Sequence, residues 1–286
     1  MNYIPIESLN LQMLNVGHFS HRGYWNLRQI SSPFIRIYLV TEGKANMYLQ
    51  DKTIELRPNH LYMVPAYVKH GFECRELFEH YYLHLYVGFK NEANIFEMYD
   101  FPVEVEACDN DFRYISAMCR EFPDAKLPNS NPLAYDSGTS ITDYINCYNG
   151  LPIWHKMRLR GAMLILFSRF LQQATLKVWT ADERMIKVLG YIRDHLCDNI
   201  DIDALADVAC VTKSYFIRLF TREFGMSPLH YINKKKIEKS QLLLVTSKRP
   251  VKDVAYALGF NDHSYFARLF KKVVNMSPME FRKAMV

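Results

Sequence analysis

Residues 214–220 read SYFIRLF and residues 264–270 read SYFARLF. A heptapeptide written twice with one change constrains the fold more than any other feature of the chain, because fixed-period self-similarity marks a duplicated structural unit. Set against each other, 214–232 and 264–282 agree at nine of 19 positions. Both copies end in a stop and a restart, Phe224-Gly225-Met226-Ser227-Pro228 and Val274-Asn275-Met276-Ser277-Pro278. Gly and Asn tolerate the left-handed conformation past a helix end, and Ser-Pro supplies a cap and a first-turn residue for the next helix. Each phrase is therefore predicted to be one helix followed by another.

A shorter helix is expected before each phrase. Asp201 can cap Ile202 to Ala209, with Ile202, Leu205 and Ala209 on one face, and Thr212 can cap the helix that follows. In the second copy Pro250 suits a first helical turn, Val251, Val254, Ala255 and Leu258 form the apolar stripe, Gly259 makes the turn, and Asn261 or Asp262 caps the next helix. Helix, tight turn, helix is the plan in which a second helix enters the major groove of DNA. The units are placed at about 201–224 and 250–274.

Helical spacing sorts the side chains. Phe216, Leu219 and Phe220 face a core in the first phrase, which turns Lys213, Ser214, Ile217, Arg218 and Thr221 outward. In the second, Phe266, Leu269 and Phe270 pack inward and His263, Ser264, Ala267, Arg268 and Lys271 point out. These ten outward residues are the candidate DNA-reading set. Arg218 and Arg268 hold equivalent positions, and arginine suits a bidentate contact with guanine. Lys234, Lys235, Lys236, Lys239, Lys248 and Arg249 read as phosphate-facing or solvated. Tyr215 and Tyr265 are expected to pack at the helix interface, because duplex DNA offers no open base faces. Charge agrees: residues 210–286 hold 15 Lys+Arg against 5 Asp+Glu, whereas residues 1–180 hold 17 against 18. A local excess of that size attracts a polyanion.

Two such units joined by a long helix, about Leu229 to Val245, with Gly259, Phe260, Ser264, Tyr265, Phe266, Arg268, Phe270, Lys271, Lys272, Ser277 and Pro278 in order, resemble the DNA-binding domain of AraC/XylS-type transcription regulators. The resemblance covers roughly residues 181–286. Asn275 stands where the family commonly has glycine and Ser277 where threonine is commoner. Ile217 occupies a position that the family often gives to a base-reading polar residue, so the first unit is expected to touch thymine methyls or to add affinity.

From Pro33 to Tyr86 short β-branched and aromatic runs alternate with turns, which indicates an antiparallel barrel or sandwich. The fold class is thus expected to be α+β multidomain, an antiparallel β-barrel with helices followed by an all-α domain of two helix-turn-helix units joined by a long helix. The order of a strand ending at Gly43, a hairpin, Leu56-x-Pro58, a Pro65 to His70 stretch and an aromatic strand Tyr81 to Tyr86 resembles the cupin-like sensor domain of the same family. Arg36, Tyr38, Tyr48, His70, Tyr82 and His84 are the candidate effector-binding residues. His70, His80 and His84 could together hold a transition metal, but the G-x(5)-H-x-H pattern of metal-binding cupins is absent. No metal or cofactor is expected.

Residues 121–150 read as a loop or excursion. Pro152 to about Ala174 reads as an amphipathic helix with an apolar face wider than one neighbour needs; the resemblance implies a dimerisation helix. Asp182 to Leu196 is a further helix, and the linker is placed near 174–181, between an effector-binding and dimerisation domain at 1–176 and the DNA-binding domain at 181–286. No basic start followed by an apolar run opens the chain, and the longest apolar window, near Ala162 to Phe167, is far shorter than the roughly 20 residues a membrane span needs. Six cysteines without a C-x-x-C pair suit reduced thiols. A cytoplasmic regulator rather than an enzyme is expected, the alternatives being a metal-binding cupin enzyme fused to a DNA-binding module and a ligand-independent regulator controlled by abundance or a protein partner. Its partners would be double-stranded DNA, a small-molecule effector and a second copy of the chain, with RNA polymerase as a partner the family resemblance allows. The operator, the effector and the direction of control are not legible.

Overall fold

The computed structural model describes residues 9–88, 95–129, 138–177, 182–247 and 249–284. Lys248 and residues 178–181 of the expected linker lie outside the described residues. Among the described residues two compact units emerge, one built on residues 9–88 and on those between 101 and 174, the other on residues 95–100 and on those from 175 onward.

The first unit is two antiparallel sheets. β1 (Asn10–Arg22), β8 (Leu77–Gly88), β3 (Ile35–Gly43), β6 (His60–Val64) and β10 (Glu104–Glu106) form a five-stranded sheet in that spatial order. β2 (Trp25–Ile30), β7 (His70–Cys74), β4 (Ala45–Leu49) and β5 (Thr53–Leu56) form the second, four-stranded one. Spacing along the chain leaves barrel and sandwich open; the structure shows two sheets enclosing one core of Tyr38, Val40, Met47, Leu56, Tyr62, Val64, Phe72, Phe78 and Tyr82. Strands of the larger sheet are covered on both faces, so β3 is buried continuously from Ile35 to Val40 instead of alternating. Its outer face carries α2 (Asp109–Glu121) and α4 (Ile153–Leu171), both packed on β1. From α4, Leu159, Met163, Leu166, Phe167 and Phe170 are buried.

Two parts of this unit differ from expectation. β1 and β2 precede the expected first strand, and β1 pairs with β8 along almost its whole length. A bulge between Met13 and Asn15 breaks the period, so that Leu11 and Met13 are buried and then Leu14 and Val16. Within the expected loop 121–150, Gly138–Gly150 is a helix, α3. Tyr144 and Tyr148 sit one turn apart on it, Tyr148 buried and Tyr144 against the sheet core, while the polar remainder masks the periodicity.

The second unit is helical. α1 (Ile95–Met98) and the paired β9 (Tyr99–Asp100) and β11 (Thr175–Leu176) belong with it, Met98 entering its core. α5 (Glu183–Asp194), α6 (Ile202–Val208), α7 (Lys213–Phe224), α8 (Pro228–Thr246), α9 (Val251–Ala257), α10 (His263–Val274) and α11 (Pro278–Ala284) follow. The capping chemistry explains these bounds. Asp182, Asp201, Ser227 and Asp262 each accept a backbone N–H at a helix start. Thr212 holds the cap backbone of α7 with no side-chain cap bond, and Pro250 sits at the cap of α9 rather than inside its first turn. Gly225 and Asn275 end α7 and α10 in the left-handed conformation, as their residue types require. Ser277 and Glu280 form a reciprocal capping box that starts α11.

Candidate nucleic-acid interface

Each repeated phrase is the second helix of a helix-turn-helix. In the first unit α6 leads through a turn at Cys210, with φ of 54°, into α7; in the second α9 leads through Gly259, with φ of 68°, into α10. The hydrogen bonds of the two turns match, Val211 N–H to the Ala206 carbonyl and Phe260 N–H to the Ala255 carbonyl. The second turn is one residue longer, since α10 begins four residues after its left-handed residue and α7 three after its own.

The outward set lies where helical spacing puts it. Lys213, Ser214, Ile217, Arg218 and Thr221 are exposed on α7, and His263, Ser264, Arg268 and Lys271 on α10, with Ala267 half-buried. Phe216, Leu219, Phe220, Phe266 and Phe270 are buried, whereas Leu269 is only half-buried. Asp262 accepts the Ser264 N–H, and this bond, with Arg268 and His263 nearby, holds its carboxyl below the usual range. Lys213 is tied to Asp203 of α6 at 2.8 Å, which raises its ammonium pKa.

Tyr215 and Tyr265 are each 42% exposed, and Tyr265 lies at a helix junction, its Oη accepting from Asn233 Nδ2 on α8 at 3.2 Å and its ring beside Phe260. Lys236 neither faces phosphate nor is solvated: it is buried among backbone carbonyls. A run of three lysines reads as a solvated face, so nothing in the local sequence marks the middle of a helix pinned between two units. Lys234, Lys239 and Arg249 are exposed, and Lys235 pairs with Glu238.

Five of the six candidate effector residues point into the β unit. Arg36, Tyr38, Tyr82 and His84 line an interior cavity with Phe19, Trp25, Phe72, His80 and Leu127; its volume is about 10 Å³, on the scale of one water molecule. Arg36, 1% exposed, donates to Ser32 Oγ and lies 3.2 Å from His84 Nε2. His70, also buried, bonds the Val68 carbonyl through Nδ1. Burial, reinforced by the Arg36 charge, pushes the His70 pKa down to about 3 and His84 well below its ordinary value; burial does the same to His80. Tyr82 Oη accepts the Leu127 N–H at 2.7 Å. Tyr48 is the exception. Met47 and Ala45 point inward on β4, so the two-residue period turns Tyr48 to the outer face, where it donates to Glu73 and stacks under Arg28. Among the described residues no group of three or more His, Cys, Asp or Glu is arranged to hold a metal, and no helix is long and apolar enough to cross a membrane.

Comparison with known proteins places this geometry. Residues 205–284 match a family described as a helix-turn-helix domain. The arabinose operon regulatory protein of Escherichia coli strain K12 is 39% identical over 102 residues, which make up 35% of this chain and 35% of that one; the match thus spans about a third of that relative. A probable transcriptional regulator of Photobacterium leiognathi, LumQ, is 21% identical over 251 residues, 86% of this chain and 88% of its own. Along 96% of both chains the fold is similar to that of ToxT from Vibrio cholerae, solved with an unsaturated fatty acid bound, at a TM-score of 0.53 and 13% identity. With the repeat, both turns and the caps of α6, α7 and α10 lying in or beside the matched segment, the C-terminal domain of this chain is a double helix-turn-helix domain, similar to the matched part of the arabinose operon regulatory protein.

Proposed function

We propose that the chain is a transcription regulator that reads double-stranded DNA with two recognition helices, α7 and α10, in successive major grooves on one face of the duplex. The observation that carries this reading is the duplication itself: two helix-turn-helix units, each exposing an arginine at the same place on its second helix. Arg218 and Arg268 are assigned to base edges, and the exposed lysines and hydroxyls around them to phosphate. Grooves one turn apart lie roughly 34 Å from each other.

The β unit is assigned the sensing role. Arg36, Tyr38, His80, Tyr82 and His84 place polar groups among aromatic walls, the usual composition of a small-molecule site. A cavity of about 10 Å³ admits an effector only if its walls part, and Leu127, hydrogen-bonded to Tyr82, is the wall outside the sheets. Ile153, Trp154, Met157 and Ile165 of α4 are exposed, at 72%, 53%, 68% and 39%, which supports pairing with a second copy through that helix. Contact with RNA polymerase completes the regulator's proposed set of partners.

Selection of duplexes from a randomised pool by the full chain tests the reading. Enrichment of one motif with two contacted segments is expected; a pool that stays random after several rounds, although it is retained at low salt, would reduce the repeat to a backbone-binding surface.

A further inference from the structure

α8 joins the two helix-turn-helix units, and one of its lysines faces inward. Lys236 is 4% exposed, and its Nζ donates to the Asp198 carbonyl at 2.8 Å and to the Gly259 carbonyl at 3.3 Å. The ammonium also lies 5.2 Å from the ring centroid of Phe260. Asp198 belongs to the turn that leads into the first unit, and Gly259 is the turn of the second. A single side chain on the connecting helix therefore holds both units. Burying an ammonium is unfavourable unless its donors are satisfied, and burial lowers the pKa of this one; two carbonyls and an aromatic face offset that cost.

The backbones approach closely at the same place. A Cβ added to Gly259 would lie 2.5 Å from the Cys197 carbonyl oxygen and 2.8 Å from the Asp198 carbonyl, so only glycine lets the two turns seat against each other. One turn further along α8, Lys239 Nζ reaches Cys197 Sγ at 3.1 Å. The junction is thus a three-way clasp of α8, the 197–198 turn and the 259–260 turn.

We propose that Lys236 is a positioning residue: it fixes the register of α10 relative to α7, so that the protein measures the spacing of the two DNA segments it contacts. The proposal rests on the DNA-reading function given above. Without the clasp each unit keeps its own core and its own exposed arginine, but the pair no longer presents them at one set spacing. Two linked binding modules gain on the order of 10²–10⁴-fold in affinity only when their geometry allows both to engage, and the clasp sets that geometry.

The test uses the full chain and the duplex that it enriches from a randomised pool, together with versions whose spacer between the two contacted segments is longer by one, two or about five base pairs, the last being half a turn. Wild type is expected to lose about tenfold or more in affinity on the one- and two-base-pair insertions. Lys236→Met is expected to flatten that profile and to bind a duplex carrying only one segment as well as wild type does; Lys236→Arg, which can reach both carbonyls, is expected to restore the profile. A merely structural role would instead weaken single-segment binding in parallel, and that result overturns the proposal, as does an unchanged spacing profile in Lys236→Met. Where the methionine variant does not fold, Lys236→Gln, which keeps one donor group, replaces it. A flat profile in wild type overturns the clasp on its own, whereas failure of wild type to enrich any duplex overturns the DNA-reading function with it.

Discussion

The two helix-turn-helix units share a plan and differ in how they present it. The first exposes Ile217 at 36% between Ser214 and Arg218, and its one lysine in the reading set, Lys213, is held by Asp203. The second exposes His263, Arg268 and Lys271 and starts from a fully formed Asp262 cap. Cys210 occupies the left-handed turn of the first unit, and Gly259 that of the second, pressed against Cys197 and Asp198. Duplication has preserved the scaffold while the surfaces have diverged: the second unit is the stronger hydrogen-bond donor toward an acceptor-rich groove, and the first offers an apolar contact suited to a thymine methyl.

The comparison can be broken first at the glycines. Gly225 and Gly259 both adopt positive φ, but a Cβ on Gly225 meets nothing within 4 Å. Gly225→Ala is expected to cost about 1 kcal/mol of unfolding free energy, the left-handed penalty alone. Gly259→Ala adds a backbone clash and is expected to cost at least about 2 kcal/mol more, because cores resist overpacking. Urea titrations decide it; equal losses would mean that the close approach relaxes without cost.

Next come the arginines. Arg268→Ala and Arg218→Ala are each expected to weaken binding to the enriched duplex by about 1 to 3 kcal/mol while sparing scrambled DNA. Loss of the same size on scrambled DNA would assign the arginine to phosphate. The caps give a smaller contrast: Asp262→Ala is expected to lower the melting temperature more than Thr212→Ala does, since Thr212 makes no side-chain cap bond. Matching melting-temperature shifts would remove this difference between the units. Smallest is the Lys213–Asp203 pair, whose partners are both about half exposed. Asp203→Asn is expected to leave the melting temperature almost unchanged, because an exposed, solvent-screened pair contributes little to stability. Releasing Lys213 and removing a negative charge should steepen the salt dependence of binding by up to about one unit of slope, and an unaltered slope would show that Lys213 does not approach phosphate.

The helical unit was legible because its signals are local. Gly225, Asn275, Ser227, Pro228 and Asp262 each mark a helix end through their own chemistry, and the spacing of Phe216, Leu219 and Phe220 gives the buried face. The β unit was less so, because its decisive signals are not local. The bulge after Met13 hides the period of β1, the choice between barrel and paired sheets depends on strand order, and the facing of Tyr48 depends on Met47 pointing inward. Lys236 was misread for the same reason: its partners, Asp198 and Gly259, are 38 and 23 residues away. Of the candidate effector residues, Arg36, Tyr38, Tyr82 and His84 line one cavity, but which strand face turns inward depends on pairing that the sequence does not show.

The most direct test of the central claim is a footprint. Hydroxyl-radical and guanine-methylation protection of the enriched duplex by the full chain should show two protected patches on one face, about one helical turn or 10 base pairs apart, with guanine N7 shielded in each. Shielding of the second guanine should vanish in Arg268→Ala and of the first in Arg218→Ala. A single patch, or protection of the backbone with every guanine N7 left reactive, would contradict the account that two recognition helices read two successive major grooves.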